Sequence, residues 1–138
     1  MAKLTTDMKD LIDQAFAFIA TVDENGNPQV GPKGTMRVLD DTHLIYNEET
    51  GRQAWHNLND NHKIAVAFHP FPGLKGIRVE GKATIYKDGK IFDDSAAYAA
   101  DKQLPAPLAA VVITVDRIVR LDAGPHAGEE IENSPIVE

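Results

Sequence analysis

Gly31-Pro32-Lys33-Gly34-Thr35-Met36-Arg37-Val38-Leu39 is the stretch on which the architecture turns. Its C-terminal half has the β-branched and apolar residues of a strand, but two glycines and a proline break the pattern before it. Proline has no N–H to give to a ladder, so the segment reads as an edge or bulged strand. Its unpaired N–H and C=O groups need partners, and they are expected to face a ligand instead of a neighbouring strand. On that expectation the Thr35 hydroxyl is incidental and the backbone makes the contact.

Working outward, Phe16-Ala17-Phe18-Ile19-Ala20-Thr21-Val22 is β-branched and aromatic. Asp23-Glu24-Asn25-Gly26-Asn27-Pro28 then supplies an Asn-Gly turn, so 16–22 and the quoted stretch form a hairpin. Upstream, Leu4, Met8, Leu11, Ile12 and Ala15 fall at helical spacing with Thr5 or Thr6 placed to cap. Downstream, 43–47 is a third strand. A helix follows over 52–59, with Thr50 as its cap and Ala54, Trp55 and Leu58 on one side.

Residues 63–68 make a fourth strand, followed by a Pro-rich loop at 69–74. Residues 76–86 alternate as an extended strand with a bulge at Gly81, 92–102 suit a helix, and 111–121 close the sheet. The sum is an α+β fold: a six-stranded antiparallel Greek-key split β-barrel with short flanking helices. One domain spans 1–138, in which 123–138 is an extended or partly ordered tail.

A chain of 138 residues buries about 68–70% of its unfolded surface in one core. Absence of cysteine excludes disulfides and thiolate chemistry. The 21 acidic against 14 basic residues leave a net charge of −7, with the basic residues scattered, which argues against a nucleic-acid partner. No apolar run approaches a membrane span and the first residues are charged, so a cytoplasmic protein is expected.

His43, His56, His62, His69 and His126 lack ligand spacing, and no metal is expected. The acid pairs Asp93-Asp94 and Glu129-Glu130 read as solvated, and neither Ser95 nor Ser134 sits in a hydrolase arrangement. Trp55 is expected to pack in the core or an interface, while Phe71 is a candidate for lining a pocket. Neither a Walker nor a Rossmann glycine pattern follows a strand.

The strings Gly31-Pro32-Lys33-Gly34-Thr35-Met36-Arg37-Val38, Glu49-Thr50-Gly51-Arg52-Gln53 ahead of Asn57-Leu58, and Ala109-Ala110-Val111-Val112-Ile113-Thr114-Val115, in that order, resemble the FMN-binding split-barrel proteins. This is the pyridoxamine 5'-phosphate oxidase-like family, and the resemblance spans residues 8–122. It implies a homodimer holding two FMN molecules between subunits. Lys33, Gly34, Thr35 and Met36 would then run beside the isoalloxazine ring, and Thr50, Gly51, Arg52 and Gln53 would take the phosphate. A helix start favours an anion independently of the family, through its unpaired N–H groups and dipole.

The chain departs from the family where a Lys followed by Thr or Ser is common, having Gln53-Ala54 after Arg52. Arg52 can supply a bidentate contact there, and Lys33 a point charge. The implied function is an FMN-dependent oxidoreductase with a small-molecule redox partner, acting on an organic acceptor or oxygen. The alternative is a non-catalytic FMN carrier or reservoir. A pyridoxamine-phosphate oxidase proper would need further basic residues for a second phosphate ligand, and the C-terminal part carries Asp122, Glu129, Glu130 and Glu132 instead.

Overall fold

A computed structural model describes residues 2–131 of the chain. Helix α1 (Thr6–Gln14) opens with a capping box: the Thr5 hydroxyl accepts from Met8 N, and Met8 Sδ accepts from Thr5 N. Strands β1 (Ala17–Val22) and β2 (Pro28–Lys33) form the first hairpin, in register Ala17 to Lys33 and Val22 to Pro28. The Asp23 carboxylate holds the turn by accepting from the N–H groups of Asn25 and Asn27. The Asn27 N–H is the larger cause that keeps that carboxyl below its ordinary range.

The chain then forms β3 (Arg37–Asp40), β4 (His43–Glu48), α2 (Gln53–Asn61), β5 (Lys63–Phe68), β6 (Ile77–Tyr86), α3 (Gly89–Asp101) and β7 (Ala109–Arg120). The sheet is antiparallel in every pairing and runs β2-β1-β5-β6-β7-β4-β3. It has seven strands where the sequence suggests six. The difference lies in the decisive stretch, which is two strands separated at residues 34–36. β2 and β3 sit on opposite edges of the sheet, yet the path from Lys33 to Arg37 spans at most about 14 Å. The two edges must therefore come together, and the sheet curls into a barrel whose split lies between β2 and β3.

Side-chain alternation explains the packing on either face. Along β7, Val111, Ile113 and Val115 point into the main core with Leu44, Tyr46, Val66, Phe68 and Val79. Ala110 and Val112 point the other way and meet Ile45, Tyr86 and Ile91 beneath α3. Helix α1 adds Met8 and Ile12 to the main core, and α2 adds Leu58. β6 and β7 shift register at Glu80–Gly81, where the expected bulge lies. A Cβ on Gly81 would fall 2.0 Å from the Thr114 carbonyl oxygen, so the close approach of the two backbones requires glycine.

Residues 124–128 turn the chain back along β7. Gly128 N donates to Arg120 O, Arg120 N to Glu129 O and Ile131 N to Ile118 O, and Ile131 packs on the core. Ser134 and Glu132 lie outside the described residues. No helix among the described residues is long and apolar enough to cross a membrane.

Candidate functional site

A cavity of about 310 Å³ opens at the seam between β2 and β3. Lys33, Gly34, Thr35 and Thr50 line it, with Asn47 and Glu49 from the end of β4 and beyond. A smaller cavity of about 180 Å³ shares Lys33 and reaches Gly31 of β2 and Ala54 at the start of α2. Of the other residues singled out in the sequence, Met36 turns inward and packs against the core. Gly51, Arg52 and Gln53 sit on the corner leading into α2 and do not line the larger cavity.

Glu48, the last residue of β4, organises this region. Its side chain is only 1% exposed. Oε1 pairs with Lys33 Nζ at 3.3 Å, while Oε2 accepts from Thr50 N at 3.2 Å, Thr50 Oγ1 at 3.4 Å and Gly51 N at 3.0 Å. One buried carboxylate thus ties the end of β2 to the corner before α2. Three features of the sequence-based reading change as a result. Thr50 does not cap α2, because the N-cap position falls on Arg52 and the Thr50 N–H and hydroxyl instead donate to Glu48. The Thr50 and Gly51 amides, expected on a phosphate, are spent inside the protein. Lys33 is tied to Glu48 and lies 5.3 Å from the centroid of the Tyr46 ring, so its charge is neutralised in place. The buried Tyr46 hydroxyl is pushed above its ordinary pKa by burial first and the Glu48 carboxylate second.

The start of α2 itself remains open. Its N-cap is Arg52, which makes no side-chain cap bond, and the exposed Arg52 side chain has no hydrogen bond or ion pair among the described residues. Gln53 bonds along the helix to Asn57, 2.8 Å away. Asn57 in turn donates to Thr21, and Asn61 to the Val22 carbonyl, which fixes the helix against β1.

The Thr35 hydroxyl has a structural role inside the protein. The side chain is buried, accepts from Asn47 N at 2.9 Å and donates to Asn47 O at 3.3 Å. It thereby completes the ladder of β4 where the neighbouring edge strand breaks off. Thr35→Val keeps the shape but leaves the buried Asn47 N–H without an acceptor, and is expected to cost about 1–3 kcal/mol of stability. Urea unfolding checks this, and a loss below about 0.5 kcal/mol would mean that solvent or a backbone shift replaces the hydroxyl.

Arg37, at the first position of β3, braces the same segment from the other side. Its guanidinium donates to Thr35 O, Asn47 Oδ1 and Ser95 Oγ, and stacks 3.6 Å from the centroid of the Tyr98 ring on α3. Burial holds the Arg37 guanidinium below its ordinary pKa, partly opposed by Tyr98. Ser95 is thus a buried structural partner. Trp55 is part-buried with Lys87 Nζ over its ring, and Phe71 is 95% exposed and lines neither cavity at the seam. Asp93 and Asp94 are exposed on α3. No metal-binding cluster of histidines and acids occurs among the described residues.

A split barrel whose seam carries a ligand-sized cavity is matched by sequence: the family described as pyridoxamine 5'-phosphate oxidase covers residues 4–122. The chain belongs to that family. HupZ of Group A Streptococcus, known from a crystal structure, is 41% identical and superposes with a TM-score of 0.84, covering 91% of this chain and 99% of that one. The uncharacterised protein MJ0282 of Methanocaldococcus jannaschii is 29% identical over 136 residues, 95% of this chain and 89% of its own length. An FMN-binding protein of Syntrophomonas wolfei shares the fold at 17% identity, with a TM-score of 0.70 over 84% of this chain and 89% of that one.

Proposed function

We propose that this family member is a flavoprotein that holds FMN across the barrel seam at a homodimer interface and serves as an FMN-dependent oxidoreductase for a small organic acceptor or oxygen. The observation that carries the proposal is the open start of α2, where Arg52 stands exposed and unpaired beside amides that no side chain caps. Such a helix start favours a phosphate through its dipole, and Arg52 adds a charge-assisted, bidentate contact. The residues fit FMN with one adjustment. The phosphate belongs on Arg52 and the first amides of α2, since the Thr50 and Gly51 N–H groups are held by Glu48. Residues 33–35 then lie beside the ring. When bound, the flavin supplies the redox chemistry, and the protein orients it and controls access.

The dimer is supported by apolar side chains that a lone barrel leaves in water. Phe16, Phe18 and Val30 are 58%, 46% and 74% exposed, close together on the β1–β2 edge beside the smaller cavity. Contiguous patches of that kind mark association surfaces.

Fluorescence titration with FMN and riboflavin tests the cofactor and its orientation together. Arg52→Ala is expected to weaken FMN by about 1.5–3 kcal/mol and riboflavin far less, because riboflavin has no phosphate to lose. Equal losses for both would remove Arg52 from the phosphate. Reduction of the same complex by anaerobic NADH or NADPH, followed by air, separates an oxidoreductase from a carrier by whether bleaching and recovery turn over.

A further inference from the structure

Asn25-Gly26 is the one Asn-Gly pair in the chain, and it lies at the tip of the turn between β1 and β2. An asparagine ahead of glycine can be attacked by its own main chain, because a residue without a Cβ leaves its amide nitrogen uncrowded. The surroundings keep that attack open. Asn25 and Gly26 are exposed, and a Cβ built on Gly26 would meet nothing within 4 Å. The Asn25 side chain makes no hydrogen bond among the described residues, whereas the side-chain amides of Asn27, Asn47, Asn57, Asn59 and Asn61 all donate within the protein. What restrains the reaction is the nitrogen. Gly26 N donates to the Asp23 carbonyl at 3.0 Å, and the Asp23 carboxylate accepts from the N–H groups of Asn25 and Asn27 at 2.8 and 2.9 Å. Attack requires Gly26 N to leave its bond and turn towards the Asn25 side chain, so it proceeds from the locally opened turn.

We propose that Asn25 is a self-modification site, which deamidates through Gly26 at a rate set by the turn that Asp23 holds. The Gly26 nitrogen, giving its proton to a solvent base, forms a bond to Asn25 Cγ. The bond from Cγ to the side-chain nitrogen breaks, and that nitrogen takes up a proton and leaves as ammonia. Water then opens the cyclic imide, at Cγ to give aspartate or at the main-chain carbonyl to give isoaspartate. Nothing is oxidised or reduced, and water is the only co-reactant. The product carries a new carboxylate beside Asp23 and Glu24 and, as isoaspartate, one extra main-chain carbon in the turn. Conversion thus marks molecules by age, at the hairpin that presents Phe18 and Val30.

Peptide mapping by mass spectrometry, with isoaspartate separated from aspartate by chromatography, follows position 25 over time in mildly alkaline buffer. The wild type, Asp23→Ala and Asp23→Asn are each incubated folded and in urea, with circular dichroism and thermal melts to establish folding. Folded wild type is expected to convert at Asn25 ahead of the asparagines at 27, 47, 57, 59 and 61, and more slowly than the same chain in urea. Folded Asp23→Ala is expected to convert about tenfold faster or more, as for loss of hydrogen bonds to a charged group, and Asp23→Asn, which keeps an acceptor, shows a smaller gain. In urea the three rates agree within about twofold, since no turn is left to open. If Asp23→Ala does not fold, Asp23→Asn carries the comparison. A folded wild type that keeps Asn25 intact while the chain in urea converts it would overturn the proposal. Equal folded rates for the wild type and a folded Asp23 variant would overturn the control assigned to the turn.

Discussion

Gly81→Ala is expected to destabilise the protein by about 4 kcal/mol or more, at the extreme of single substitutions. The added Cβ would sit 2.0 Å from the Thr114 carbonyl oxygen and 3.0 Å from its carbonyl carbon. Both atoms belong to the backbone of β7, so no rotamer change relieves the contact. The strands would have to separate at the centre of the longest ladder in the sheet, the one that joins β6 to β7 from Ile77 to Tyr86. Gly31→Ala is the control. Its Cβ meets nothing within 4 Å and its backbone needs no positive φ, so it should lie within about 0.5 kcal/mol of the wild type. Urea unfolding of the two variants gives the comparison. A Gly81→Ala protein within about 1 kcal/mol of the parent would show that the bulge relaxes freely.

The bulge was legible because its signal is local: a glycine interrupts a strict alternation of β-branched residues, and only a special backbone position makes that tolerable. For the same reason β5 is read from sequence to the residue, as 63–68, and the turn after Val22 follows from Asp23 and Asn25-Gly26. The break at 34–36 was not legible as a break. Gly31-Pro32 stays paired within β2, and a lone glycine such as Gly34 looks the same in a bulged strand and at the point where a chain leaves one sheet edge for the other. Only the pairing of β3 with β4, on the far edge, distinguishes them. Helix α3 begins at Gly89, three residues before the expected start, because Asp88-Gly89 reads locally as a turn and Asp88 makes no side-chain cap bond.

The candidate site divides along the same line. The positions of Lys33, Gly34, Thr35 and Thr50 around one cavity follow from strings near each other in the chain. What those residues are free to do depends on Glu48 and Asn47, and nothing local marks either of them. An acid at the end of an apolar strand reads as the first solvated residue of a loop. Its burial is decided by Lys33, fifteen residues earlier, and by the turn of the main chain that follows it.

Glu48→Ala is expected to have the largest effect at the site, about 3–5 kcal/mol of stability. That is the range for breaking a buried ion pair by deleting one partner. The cost arises from what is left behind and not from the net worth of the pair. The Lys33 side chain is 17% exposed and would keep its ammonium beside the Tyr46 ring with no counter-charge, and the amides of Thr50 and Gly51 would lose their acceptor.

Glu48→Gln separates these contributions. Its amide oxygen can still accept from the corner, but the pairing with Lys33 is lost, so it should fall between Glu48→Ala and the wild type. Combining it with Lys33→Met removes both charges, and the double variant should recover part of the loss, with a coupling of about 1–3 kcal/mol in the cycle. The recovery is specific to a paired, buried charge. If Glu48→Gln and Lys33→Met simply add, the two residues do not depend on each other. Glu48 would then hold the corner by accepting from the Thr50 and Gly51 N–H groups alone, and the charge of Lys33 would be available to a ligand phosphate after all.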